Sequence, residues 1–140
     1  MTEAHVAADE SLREIVREAA NIAKSVQDLY SGSEADSRAI HDAIAAAEKV
    51  AELGIGSGMT FNELGELASR ASDACVKADR RDPHSKSAAL AARHAALAAG
   101  ELLFAMNCDR AGISRAGSPH SAISAFTSLV QQEVQRMSVT

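Results

Sequence analysis

SAALAARHAALAAGELLFAM, from Ser87 to Met106, holds nine alanines and one glycine, and only Arg93, His94 and Glu101 interrupt its apolar character. A helix that is apolar nearly all round belongs in an interior. Because most of its side chains are single methyl groups, neighbouring backbones can approach closely and must bring the bulk themselves. The stretch therefore predicts the central helix of a compact all-α bundle.

Composition points the same way. The chain has 140 residues, a length that buries roughly two thirds of the unfolded surface without a metal or disulfide, so one domain over 1–140 is expected. Thirty residues are alanine, aromatics make up 3% and Trp is absent. Alanine has the highest helix propensity, whereas strands prefer the β-branched and aromatic residues that are scarce here.

Five helices follow from periodicity and stop signals. The first runs from about Asp9 to Tyr30, with Leu12, Ile15, Val16, Ala19, Ile22, Ala23, Val26, Leu29 and Tyr30 expected inward. Ser31-Gly32-Ser33 ends it, and Ser33 with Asp36 reads as the cap of a second helix that stops at Gly54. Gly54-Ile55-Gly56-Ser57-Gly58 has helices on both sides and no Gly-Lys-Ser/Thr ending, so it reads as a hinge and not a phosphate-binding loop. Thr60 and Glu63 form a capping box for helix three, whose inward stripe is Phe61, Leu64, Leu67, Ala68, Ala71, Cys75 and Ala78. Asp82-Pro83 starts the alanine-rich helix four and Ser118-Pro119 starts helix five. Residues 1–8 and 138–140 are expected to fray.

The search for chemistry is mostly negative. His5, His41, His84, His94 and His120 form no HExxH and no Glu-x-x-His pair, so no metal or cofactor is expected. Cys75 and Cys108 have no CxxC spacing and read as reduced thiols of a cytoplasmic protein. The N-terminus lacks the basic and apolar regions of a signal peptide, and the longest apolar run is broken by charge where a membrane span wants about 20 clean residues. His94, inside the alanine helix, and His41, beside the inward stripe of helix two, are the candidates for a buried polar site. With no nucleophile paired to either, no enzymatic activity is expected.

Charge is unevenly distributed. Residues 1–66 carry thirteen acids and five bases, a net −8, whereas residues 67–140 carry six acids and nine bases, a net +3. An acidic half argues against unaided nucleic-acid binding and suits a basic protein partner. Asp28, Glu34, Asp36, Asp42, Glu48 and Glu52 gather around the first helical hairpin and are the candidate partner-binding set. Arg70, Lys77 and Arg81 mark an outer basic stripe on helix three.

The run Leu12-Arg13, Ala19-Ala20, Ala23, Val26 and Leu29-Tyr30, followed by Asp36-Ser37-Arg38-Ala39-Ile40 and Ala43 to Ala47, resembles a family of alanine-rich helical immunity proteins from bacterial polymorphic-toxin systems. The later Ala88-Ala89-Leu90-Ala91-Ala92-Arg93-His94-Ala95-Ala96 is similar to that family's alanine stretch, so the resemblance covers about residues 12–106. Lys49-Val50 stands where the family has Trp, and Leu103-Phe104 where it has a second histidine. The resemblance implies a cytoplasmic inhibitor of one cognate toxin, and the acidic first half suits a basic, nuclease-like one. Two other classes stay open: a homodimeric structural or regulatory module using an exposed alanine seam, and a small-ligand or enzymatic bundle around His94, His41 or the Gly54–Gly58 loop.

Overall fold

A computed structural model describes the backbone of residues 3–112 and 119–138, and the side chains of residues 10–112 and 119–137. The described backbone contains five helices and no strand: α1 (Glu3–Val26), α2 (Glu34–Leu53), α3 (Phe61–Lys77), α4 (Pro83–Ala111) and α5 (Pro119–Ser138). This is the expected all-α bundle.

α4 is the centre, because it packs against all four other helices. α3 and α5 flank it in one layer, while α2 and α1 lie beneath, with α2 also touching α3 and α1 also touching α5. Every alanine from Ala88 to Ala105 is buried, so the alanines are covered by other helices and do not form an exposed seam. The bulk comes from those neighbours: Val16, Ile40, Ile44, Val50, Leu64, Ile123 and Val130 are almost wholly enclosed. By length and composition α4 is apolar enough to cross a membrane, yet most of it is buried inside the bundle.

Local signals set most of the helix ends. Ser33 Oγ accepts from the Asp36 amide at 3.2 Å. Thr60 and Glu63 complete their reciprocal box at 3.1 and 3.2 Å, and Asp82 caps α4 with Pro83 at its first position. α4 ends at Gly112, whose φ of 69° is the left-handed conformation that suits glycine. The expected Ser118 cap lies outside the described residues.

Helix one departs from expectation at both ends. It already runs at Glu3, and at its far end Gln27–Leu29 tighten into a 3₁₀ turn. A tighter turn advances each residue further round the axis, so Leu29, expected inward, is exposed while Tyr30 is buried. The Tyr30 hydroxyl donates to the Ala74 carbonyl on α3 at 3.1 Å. Gly32 permits this: a Cβ there would lie 2.5 Å from the Tyr30 hydroxyl oxygen. Phe61 is also not enclosed, because at the first position of α3 its ring rests against Phe104, with centroids 5.6 Å apart. Helical backbone covers Glu3 to Ala8 and Ser138 of the tails expected to fray, and the remaining tail residues lie outside the described ones.

A polar staple holds the α1–α2 turn onto the start of α4. Ser85, almost fully buried, accepts from the Ser31 amide at 2.9 Å, and its hydroxyl donates to Asp82 Oδ2 at 2.7 Å. The hydroxyl of Ser31 donates to the same carboxylate, and these hydrogen bonds hold the Asp82 pKa down at about 2. At the other end of the hairpin, Arg13 donates to the Ala51 carbonyl at 2.9 Å and to the Glu52 carbonyl. Both ends of the acidic hairpin are thus tied down.

Candidate functional site

The six acids singled out on the first hairpin divide into two groups. Asp28, Glu34 and Asp42 line one depression of about 530 Å³, together with Gln27, Ser37, Arg38 and His41. The 3₁₀ turn supplies Gln27 and Asp28. The outer face of α2 supplies the rest, since Glu34, Arg38 and His41 recur at helical spacing on the side away from Ile40, Ala43, Ile44 and Ala47. The three carboxylates make no ion pair among the described residues. With Arg38 they leave a net charge of −2 around the depression, counting His41 as neutral. Gln27 Oε1 is enclosed there without a hydrogen-bond partner among the described residues.

The other three acids are committed elsewhere. Asp36 turns toward α3 and meets Lys77 Nζ at 3.5 Å. Its charge adds to burial in raising the Tyr30 pKa. Glu48 meets Lys24 of α1 at 3.3 Å, and Glu52 lies 3.9 Å from Arg17, which also pairs with Glu14. Of the six, the three without an ion pair among the described residues therefore gather toward the turn end of the hairpin.

His41 is corrected: it is exposed and lies in the acidic depression, not in a buried polar site. The inward stripe of α2 centres on Ile40, Ala43, Ile44 and Ala47, and one residue on from Ile40 the helix has turned 100° away from it. His94 is buried as expected, with 7% exposure. Its ring stacks on Phe126 of α5, with centroids 6.5 Å apart and planes 24° apart, while Arg93 Nη1 approaches its Nδ1 at 3.5 Å. Because arginine can only donate, Nδ1 is the acceptor and Nε2 carries the proton of a neutral ring. Burial above all, then the charges of Arg93 and Arg136, lower the His94 pKa to about 4.

Sequence reasoning missed Glu133. It is 5% exposed on α5, with Oε1 accepting from Arg136 at 2.8 Å and Oε2 enclosed without a partner among the described residues. The signal was present: Phe126, Val130, Glu133 and Met137 lie on one face at spacings of four, three and four. Cys75 is half-buried and burial raises its thiol pKa, although Lys86 and Arg93 pull the other way. It is thus a protonated thiol and a poor nucleophile. No group of three or more His, Cys, Asp or Glu is placed to hold a metal among the described residues. Compared with protein-family models, with curated proteins and with solved structures, the chain matches none.

Proposed function

We propose that this chain is a protein-binding module of the bacterial cytoplasm that inhibits a basic toxin domain by docking the outer face of its α1–α2 hairpin. The observation that carries the reading is the convergence of Asp28, Glu34 and Asp42, which make no ion pair among the described residues, on one concave face. That face sits on a hairpin whose ends are fixed by Arg13 and by the Ser31–Asp82–Ser85 staple. A pre-arranged acidic surface steers a basic partner and costs little ordering on binding. Its dimensions suit a side-chain cluster on a partner surface, with Arg or Lys entering between the carboxylates and His41 at the rim. The likeness to the alanine-rich immunity proteins supplies the class of partner.

The test is co-purification with the basic C-terminal domain encoded by a neighbouring upstream toxin gene, followed by association kinetics against the Asp28→Asn, Glu34→Gln, Asp42→Asn triple variant. The expected loss in association rate is about tenfold or more at low salt, shrinking as salt screens the charges. Variants at Glu48 and Glu52, which already face cations, should change it far less. Absence of binding by the native chain, or a triple variant with native association kinetics, refutes the reading.

A further inference from the structure

The outer side of the α3–α4–α5 layer carries a self-complementary strip. α4 shows Lys86, Leu90, Arg93 and Leu97 half-buried there, followed by Glu101 at the same helical spacing. Lys77 of α3 reaches Asp36 of α2, and the Ala74 carbonyl meets Tyr30 in the α1–α2 turn, which places Val76 on the opposite, outer side of the layer with 79% exposure. Phe61 and Phe104 are also exposed on this layer, so it holds three of the five large apolar side chains exposed among the described residues. On α5, Thr127 and Gln131 face α1, leaving half-buried Leu129 toward the outer side. Apolar side chains gathered on one face and interleaved with charge suit an association surface.

The order of side chains on α4 indicates what covers it. Positions 86 and 101 are equidistant from a point between Arg93 and His94, and so are positions 90 and 97. We infer that a second copy of this chain packs on this face, with the two α4 strips antiparallel about a two-fold axis through that point. Lys86 then meets the partner's Glu101, Leu90 meets the partner's Leu97, and symmetry repeats each contact. Phe61 and Val76 lie toward opposite ends of α3, so the same axis carries Phe61 toward the partner's Val76. Arg93 lies beside the axis, where two like charges would meet, but its guanidinium is drawn sideways to His94. Three helices spaced by about 9 Å and about 25 Å long offer on the order of 700 Å² per copy, close to the roughly 800 Å² of a standard interface. The acidic depression of α1–α2 lies on the other layer and stays open on both copies, so this inference stands independently of the proposed toxin partner.

Sedimentation velocity of the full chain at micromolar to hundred-micromolar concentration tests it, with circular dichroism confirming helix content. The expected species has twice the 14.6 kDa of one chain. Lys86→Glu and Glu101→Lys should each weaken the dimer about tenfold or more, and the combined variant should recover most of the native affinity. Recovery separates an intersubunit pair from loss of the in-chain interactions that Lys86, through the Cys75 carbonyl, and Glu101 also make, which the combined variant does not restore. A chain that is monomeric throughout overturns the inference. So does a dimer indifferent to both reversals, or a combined variant no tighter than the single ones.

Discussion

Acidification from pH 7 to pH 4 is a direct probe of how His94 is built into the core. In the folded protein its pKa is about 4, whereas the unfolded value is 6.5. Between those values the unfolded chain binds a proton that the folded chain refuses. The stability due to a neutral His94 is therefore complete above pH 6.5 and falls as the pH drops toward 4. At about 1.4 kcal/mol per pH unit the full window corresponds to about 3 kcal/mol, a large fraction of the stability of a domain this size. The assay is urea unfolding followed by circular dichroism at pH 7, 5.5 and 4.5, for the native chain and for His94→Gln, whose side-chain carbonyl can still accept from Arg93. Carboxylates titrate in both proteins, so the difference between the two curves isolates the imidazole. Asp82 does not confuse it: its pKa is lowered from 3.8 to about 2, so the stability it contributes is lost only below the histidine window. The expected result is that the native chain loses about 2–2.5 kcal/mol more than the variant between pH 7 and pH 4.5. Equal slopes would show that His94 is solvated and protonated in the folded state, refuting the burial argument.

Three further perturbations test the packing. Ala95→Leu puts a large side chain where α4 is wholly enclosed and should cost about 1–3 kcal/mol in urea titrations, whereas exposed Ala45→Leu should stay within about 0.5. Gly54→Ala faces a φ of +56° and a Cβ 2.9 Å from Met106 Cε, so its melting temperature should fall by several degrees, and the added Met106→Ala change should not restore it because the backbone strain remains. Ser85→Ala removes the acceptor of the Ser31 amide and a donor to Asp82; it should cost about 1–2 kcal/mol and move the Asp82 pKa up from about 2 toward 3.8, measured by NMR titration. An unmoved Asp82 titration would mean that the staple does not hold that carboxylate.

What was legible in the chain follows from how local each determinant is. Ser33 with Asp36, Thr60 with Glu63, and Asp82 with Pro83 act within one helical turn, and all three appear as read. The alanine run was equally readable, because a helix with almost no polar face has nowhere to sit but the centre. Leu29 was misplaced because the exit of α1 is set from afar: Tyr30 reaches the Ala74 carbonyl, 44 residues on, and the chain tightens to let it. The acidic hairpin shows the same boundary more consequentially. Asp36 finds its cation 41 residues away and Glu48 finds its own 24 residues back, so neither can be separated by local pattern from Asp28, Glu34 and Asp42. Counting acids along the chain locates the charged half, but closing the bundle selects which carboxylates remain to meet a partner. The candidate surface is thus a remainder left by folding, and its charge depends on α3 as much as on the hairpin that displays it: removing Lys77 would release Asp36.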